Sequence, residues 1–301
     1  MLTSTVDILA IAAHRDDVEQ TCGGTLLKMA ERGHRTGILD LTRGEMGTRG
    51  SAEDRAREAA DAGNILRVSW REALDIPDGR VENTWENRLK VARIIRQTRP
   101  RVVILPYWEG RHPDHYTASK LGYEACFLAG LAKLDIERAL SSQQSAFSQS
   151  ASAVAGVVSG EMQRIPAAAK ADETRRGGGT TRSRALPNRG GVPESAGEAP
   201  APHRPFKIIY ATLYHDVRPT FVVDISEQFE ARFESLMAYK SQFSDQEAGK
   251  DIFPAPEGIR ARIESMARFY GMMAGVTYAE PFLQKEVGLV DDVTAIAVKS
   301  I

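Results

Sequence analysis

The sequence has few cysteines, no long apolar run and no excess of either charge. Two of its 301 residues are cysteine, Cys22 and Cys126, which are too few for a disulfide framework and suit a reducing compartment. No apolar stretch approaches the ~20 residues that span a bilayer, and no signal peptide is expected. A formal net charge of −1 gives no electrostatic reason to bind nucleic acid or an anionic membrane. We therefore expect a cytoplasmic globular protein.

Short apolar runs alternate with helix-forming segments along most of the chain. The runs predicted as strands are Val6–Ala13, Thr36–Leu41, Glu72–Ile76, Arg101–Pro106, Lys207–Leu213 and Thr220–Ile225. The segments predicted as helices are Val18–Arg32, Ala52–Leu66, Thr84–Gln97, Thr117–Leu134, Ser226–Tyr239 and Gly258–Met273. This alternation predicts an α/β fold with a mostly parallel, doubly wound sheet.

Residues 139–202 differ in composition from the rest of the chain. They are rich in Ser, Ala, Gly, Gln, Arg and Pro, and Phe147 is the single aromatic residue among them. Such a segment buries too little apolar surface to offset the entropy of ordering it. We expect one domain over residues 1–301, with residues 139–202 as a disordered insertion within it.

Two polar motifs each follow a predicted buried strand: His14-Arg15-Asp16-Asp17 and His112-Pro113-Asp114-His115. Loops at the carboxyl ends of parallel strands form the ligand sites of such sheets. Two histidines and one carboxylate make a three-ligand set with an open position, as in catalytic zinc sites. One acidic residue and one histidine then remain for proton transfer. The residues alone do not decide which histidine of the second motif binds the metal.

Each motif also has a simpler interpretation. The two aspartates could be a helix N-cap and a first-turn charge, and the second motif could be a solvated turn. The presence of both motifs, on two strand ends of one predicted sheet, favours metal-assisted hydrolysis. Cys22 lies near the first motif, where we favour a buried packing role over metal binding.

With both motifs in view, the chain resembles the LmbE-like (PIG-L type) family of zinc-dependent N-acetylglucosaminyl deacetylases. That family carries an Ala-His-Pro-Asp-Asp-x-Glu motif, here Ala13–Glu19, and a His-Pro-Asp-His motif, here His112–His115. Other stretches resemble the branch that deacetylates N-acetylglucosaminyl malate in bacillithiol biosynthesis. They are Asp40–Gly50, Pro106–Trp108, His215–Pro219, Ala238–Phe243 and Tyr278–Phe282.

The resemblance implies a Rossmann-like three-layer α/β/α sandwich that binds one Zn²⁺ per chain through His14, Asp17 and His115. Fe²⁺ or Co²⁺ would also suit this donor set. The resemblance implies that Asp16 is the general base for attack of a zinc-bound water. It implies that His112, supported by Asp114, stabilises the oxyanion or protonates the leaving amine.

The resemblance also implies that Arg55 binds polar groups of the substrate, because a guanidinium can bind a malate carboxylate through two hydrogen bonds. The alternative is that Arg55 pairs with Glu58 on a helix surface. Arg43, Glu45 and Trp108 are further candidate substrate-binding residues. The partner is then a small N-acetylated amino-sugar conjugate, with neither nucleic acid nor membrane, and the family is compatible with a homo-oligomer.

Arg15 replaces the family proline, which would fix φ and stiffen the motif. We expect the fold to tolerate this arginine, with a looser motif. Two alternative functions stay open. One is deacetylation of another N-acetylglucosamine conjugate, of the mycothiol or chitobiose type. The other is a sugar- or nucleotide-binding domain without catalysis; for nucleotide binding the first turn lacks G-x-G-x-x-G, because Gly23-Gly24 comes too late.

Overall fold

A seven-stranded, mostly parallel sheet forms the centre of the molecule. The structure is a computed structural model that describes residues 5–143, 200–212, 217–244 and 255–296. The strands are β1 (Ile8–Ala12), β2 (Thr36–Asp40), β3 (Trp70–Ala73), β4 (Val102–Pro106), β5 (Lys207–Ala211), β6 (Phe221–Asp224) and β7 (Ala279–Leu283). Their order is β3-β2-β1-β4-β5-β7-β6. Strand β7 is antiparallel to both of its neighbours, whereas the other pairs are parallel.

The helices follow the strands in the alternation that the sequence predicts. They are α1 (Asp17–Thr21), α2 (Gly23–Glu31), α3 (Ala52–Ile65), α4 (Trp85–Thr98), α5 (Pro113–Ala129), α6 (Phe229–Met237), α7 (Lys240–Phe243) and α8 (Pro256–Met273), with helical residues at 136–143 and a 3₁₀ turn at Val293–Ala295. None of the helices in the described ranges is long and apolar enough to cross a membrane.

The two faces of the sheet are both buried, which explains why its strands are nearly continuous apolar runs. On β1, Leu9 and Ile11 belong to the apolar cluster that includes α4 and α5, whereas Ala10 and Ala12 belong to the cluster with α1 and α2. This alternation is the two-residue period of a strand with helices on either side. The predicted three-layer α/β/α fold is confirmed.

The direction in which successive strands are added to the sheet reverses between β1 and β4. From β1 the chain winds through β2 to β3 on one side, and β4 begins the other side next to β1. In doubly wound sheets, ligands bind at the carboxyl ends of the two strands that flank such a reversal. The two polar motifs follow β1 and β4, so the topology brings both to this crevice.

Two predicted elements need correction, and one strand was not predicted. The single helix predicted over Val18–Arg32 is broken at Cys22, whose φ of −143° lies outside the helical range. The third strand is Trp70–Ala73 rather than Glu72–Ile76. Strand β7 was missed, because Glu280 and Pro281 interrupt its apolar pattern.

Glu280 explains the helix break at Cys22. Its buried carboxylate accepts hydrogen bonds from the backbone N–H groups of Gly24 at 2.9 Å and Thr25 at 2.7 Å, in the first turn of α2. The guanidinium Nε of Arg232 lies 3.0 Å from the same carboxylate. A Cβ at Gly24 would lie 2.9 Å from Ile225 Cδ1 and 3.0 Å from Glu280 Oε1. The α2 N-terminus is thus tied to β7, and only glycine fits at position 24 without a shift.

The described residues that flank the predicted insertion lie at the amino ends of the strands. His203 N donates to the carbonyl of Ala129 at the end of α5, at 3.0 Å. Its Nε2 lies 2.7 Å from the carbonyl oxygen of Pro100, before β4. The chain therefore returns to the sheet at the amino ends of the strands, whereas the two motifs lie at the carboxyl ends. The predicted insertion itself falls mostly outside the described residues.

Candidate active site

Two short segments deliver the residues of the two motifs to the β1/β4 crevice. His14 follows β1, and Asp17 is the first residue of α1. His112 is the N-cap of α5, and its ring accepts a hydrogen bond from the backbone N–H of Asp114. Asp114 and His115 lie in the first turn of α5, after Pro113 at a position that suits proline. The second motif is therefore a helix start, and the solvated-turn interpretation is wrong.

The side chains of His14, Asp17 and His115 converge. His14 Nδ1 lies 3.3 Å from His115 Nε2 and 3.5 Å from one carboxylate oxygen of Asp17, and His115 Nε2 lies 3.2 Å from the other. Two ligands of a tetrahedral ion at about 2.0–2.1 Å are themselves about 3.3–3.4 Å apart. The two histidine nitrogens and the Asp17 carboxylate, whose two oxygens each face one nitrogen, therefore have a spacing and a chemistry that fit a Zn²⁺ ion. These are the three residues that the resemblance implies as ligands.

The other ring nitrogen of His14 faces carboxylates. His14 Nε2 lies 3.3 Å from Asp114 Oδ2 and 3.1 Å from Asp78 Oδ1. Metal-binding histidines commonly donate their second nitrogen to a carboxylate, which fixes the ring orientation. The Asp114 carboxylate also accepts from the backbone N–H groups of Gly79 at 2.8 Å and Val81 at 3.2 Å. The Asp114 carboxylate thus orients a ring nitrogen of His14, whereas the resemblance implies that Asp114 supports His112.

Asp78 is a site residue that the sequence reading missed. It is 8% exposed and lies in the loop after β3, where it accepts from the backbone N–H of Met46 at 3.0 Å. A signal was present, because Asp78 follows a predicted strand in the same way as the two motifs. That strand was short and polar, and the Pro77-Asp78-Gly79 sequence is typical of an ordinary turn.

The carboxylates of this cluster would have no positive charge to balance them if the histidines were uncharged. Burial opposes the imidazolium form of His14, but Asp17, Asp114 and Asp78 outweigh burial and raise the pKa of His14 to about 12. Burial alone would raise the pKa of Asp17, yet His115 and His14 hold it well below its usual range. A cation is therefore strongly favoured here, either as protons on the rings or as a metal ion that displaces them.

Asp16 lies beside this cluster and is held by Arg55. One carboxylate oxygen accepts from Arg55 Nη2 at 3.0 Å, and the other accepts from Gln20 Nε2 at 3.3 Å. Arg55 is 4% exposed, and a Cβ on Gly44, which has φ +72°, would lie 2.6 Å from its guanidinium. The suggested pairing of Arg55 with Glu58 is wrong, because the Glu58 carboxylate accepts from Ser241.

The remaining candidate substrate-binding residues are dispersed. Arg43 is exposed on the loop after β2. Glu45 is exposed on the same loop and accepts from the backbone N–H of Asp78 at 2.8 Å, which joins this loop to the cluster. Trp108 packs edge-on against Tyr210 at 4.8 Å between ring centroids, with the ammonium of Lys285 4.8 Å from its ring. His215 lies outside the described residues.

Arg15 does not loosen the first motif. The side chain is 8% exposed and donates to the carbonyl of Ala52 at 2.7 Å. Its own carbonyl accepts from Arg71 Nη2 at 2.5 Å and from the hydroxyl of Tyr239. Arg71 in turn binds both carboxylate oxygens of Asp40, at 2.9 and 3.1 Å. Hydrogen bonds at both ends replace the stiffness that a proline would supply.

The surroundings of the His112 ring and of the Cys22 thiol indicate where each carries its hydrogen. His112 Nδ1 accepts from the backbone N–H of Asp114 at 3.2 Å, so a neutral His112 ring carries its hydrogen on Nε2, ready to donate. The Cys22 thiol is buried, and burial raises its pKa far above the usual range. The thiolate is the form that binds metals, so the packing role expected of Cys22 is supported.

Comparisons with known proteins agree with this geometry. Residues 9–126, which contain both motifs, match the PIG-L family described as GlcNAc-PI de-N-acetylase. The diacetylchitobiose deacetylase of Thermococcus kodakarensis is 27% identical over 284 residues, covering 91% of this chain and 80% of that protein.

Two solved structures are similar over nearly the whole chain. The conserved protein TT1542 from Thermus thermophilus is 32% identical with a TM-score of 0.66, covering 95% of this chain and 98% of that one. The N,N'-diacetylchitobiose deacetylase from Pyrococcus horikoshii has a TM-score of 0.63 and is 21% identical, covering 91% and 82%. At 21% identity, the similarity to the Pyrococcus horikoshii structure supports the fold alone.

Proposed function

The chain belongs to the PIG-L family, and from that premise we propose that it is a metal-dependent hydrolase that removes the acetyl group from an N-acetylglucosaminide. The proposed substrate is N-acetylglucosaminyl malate, in bacillithiol biosynthesis, and the proposed compartment is the cytoplasm. The observation that carries the proposal is the convergence of His14, Asp17 and His115 at the β1/β4 crevice.

We assign the metal to these three residues rather than to the neighbouring group of His14, His112 and Asp114. In that group, His112 Nδ1 and both oxygens of Asp114 already accept backbone hydrogen bonds. A divalent ion bound by the first group would polarise the amide carbonyl and acidify a bound water. Zn²⁺ is the proposed ion, and Fe²⁺ or Co²⁺ are the alternatives.

The other side chains then have distinct roles. Asp16 accepts the proton of the attacking water, while Arg55 and Gln20 fix the direction of its carboxylate. His112 donates a hydrogen bond from Nε2 to the oxyanion. The proton that Asp16 has taken from the water passes to the leaving amine. Asp114 and Asp78 orient the His14 ring. Acetate and the free amine are the products.

The malate group of the proposed substrate requires a cationic partner. Arg55 is buried against Asp16, so Arg43 is the exposed arginine that the loop after β2 offers to a carboxylate. A hydrogen bond between charged groups contributes about 1.5–3 kcal/mol. We expect Arg43→Ala to raise KM for N-acetylglucosaminyl malate at least about 10-fold and to leave KM for diacetylchitobiose unchanged. Equal effects on both substrates would contradict the malate assignment.

The test of the reaction is amine release from N-acetylglucosaminyl malate by metal-stripped protein before and after addition of zinc. Asp16→Asn should lower kcat by about 10²–10⁴-fold while the bound zinc per chain stays at the wild-type level. Asp61→Asn, on an exposed position of α3, is the matched control. Zinc binding without release of amine from any N-acetyl sugar would favour a non-catalytic sugar-binding protein.

A further inference from the structure

A small apolar cavity lies directly beside the ligand cluster. It is bounded by α1 and by the carboxyl ends of β1, β4 and β5, and its volume is about 30 Å³. Asp17 and His115 line one side, and the walls behind them include Ala12, Cys22, Ile104 and Ala211. We propose that this cavity receives the alkyl end of the acyl group and limits the enzyme to acyl groups close to acetyl in size. The inference rests on the proposed deacetylation.

The position of the cavity suits the acyl end of the substrate. In the proposed hydrolysis the carbonyl oxygen would face the ligand cluster, and the attacking water would add to the carbonyl carbon from that side. The alkyl substituent is one bond from that carbon, so it must enter a space that adjoins Asp17 and His115. The cavity is such a space. A pyranose ring is too large and too polar for it, so the sugar must point outward.

The chemistry of the walls suits a hydrocarbon. Ala12, Cys22, Ile104 and Ala211 are all buried and belong to one apolar cluster. Polar side chains, of Asp17, Thr21, Tyr107 and His115, also line the cavity. An alkyl group in contact with the apolar walls is removed from water and is stabilised by that burial. This part of the cavity therefore suits the alkyl end of an acyl group.

The size of the cavity sets the limit. A cavity of about 30 Å³ has room for a small group only. We expect the methyl of an acetyl group to fit and the propyl of a butyryl group to be too large. Enlargement would displace core residues, because Ile104 is 2% exposed and Cys22 is 1% exposed. Such displacement typically costs about 1–3 kcal/mol, which is about a 5- to 150-fold loss in kcat/KM.

The experiment compares N-acetyl, N-propionyl and N-butyryl forms of one glucosaminide. We expect wild-type kcat/KM to fall by at least about 10-fold from acetyl to butyryl. Ile104→Ala opens the cavity and should raise the butyryl-to-acetyl ratio at least about 10-fold. Ile209→Ala is the matched control, because Ile209 lies in the same apolar cluster but does not line the cavity. Equal cleavage of acetyl and butyryl by the wild type, or equal shifts in the two variants, would overturn the inference.

A second measurement does not depend on turnover. Binding of acetate, propionate and butyrate to each protein is followed by calorimetry. Butyrate should bind more weakly than acetate to the wild type and to Ile209→Ala, and this order should reverse in Ile104→Ala. If no acyl group is released from any substrate, the proposed function fails, and the order of acid binding still decides whether the cavity accepts alkyl groups. An identical order in all three proteins would reject the cavity assignment.

Discussion

Glu280 offers a sharp test of how the sheet supports the candidate site. Its carboxylate is 1% exposed and binds two backbone N–H groups of α2 together with Arg232, whose side chain is 6% exposed. Glu280→Gln keeps the shape and one acceptor oxygen but removes the charge. Arg232 is then left in the interior without its carboxylate.

The magnitude follows from these contacts. Removing one partner of a buried ion pair costs about 3–5 kcal/mol. Arg232 retains the carbonyls of Glu19 and Gln20 as acceptors, which places the expected loss near the lower end, about 3 kcal/mol. Glu264→Gln is the control, because Glu264 pairs with Arg268 at the surface, where solvent screens such pairs.

The assay is urea unfolding at pH 7 with zinc in excess, analysed for both the midpoint and the slope m. We expect a loss of about 3 kcal/mol for Glu280→Gln at unchanged m, and no measurable loss for Glu264→Gln. The double variant Glu280→Gln/Arg232→Met should recover part of the loss, since it removes both charges. A loss below about 1 kcal/mol for Glu280→Gln would refute the argument that this carboxylate supports α2.

Three further predictions concern the whole chain. Chelation should lower the free energy of unfolding by about 2.7 kcal/mol relative to protein at a zinc concentration 100 times Kd, and His115→Ala should abolish this difference in urea titrations. In metal-free protein, burial outweighs Arg71 and raises the pKa of Glu19 to about 7. The folded state then holds this proton more tightly than the unfolded chain, so the free energy of unfolding should fall by about 1–3 kcal/mol between pH 4.5 and 7. Glu19→Gln should flatten that slope, and an unchanged slope would assign it to other groups. Replacing residues 144–199 by a short Gly-Ser linker should leave zinc stoichiometry and kcat unchanged. The reason is that the residues after this segment contact the amino ends of the strands, away from the two motifs. A loss of bound zinc or of kcat would contradict this.

The parts of the fold that the sequence predicts are those that depend on local pattern. Strands β1, β2 and β4 are apolar runs because both sheet faces are covered, and helices α3 and α4 begin at side-chain caps, Ser51 and Thr84. Strand β7 is not predictable in this way. Its Glu280 is buried by a contact with α2, 256 residues away in sequence, so its burial depends on the tertiary fold.

The same division applies to the site. The compact motifs after β1 and β4 predict where the donors lie, and the family resemblance supplies the choice of His14, Asp17 and His115 among them. The sequence does not predict the partners of Arg55 or the approach of Asp78 to His14, since both depend on how separate loops meet. Arg15 shows the reverse case, in which a departure from the family motif is compensated by Arg71 and Tyr239, which lie far away in sequence.

The separation between the two motifs has a consequence for folding kinetics. His14 and His115 meet across 101 residues, and the strands that carry them pair in parallel, with β2 and β3 formed in between. Loop-closure entropy must be overcome before such distant contacts contribute, so parallel pairings of this kind form slowly. The ligand set is therefore completed late on the folding pathway. A metal-sensitive probe in a refolding experiment would report the β1/β4 docking step, and added zinc would slow unfolding more than it speeds folding.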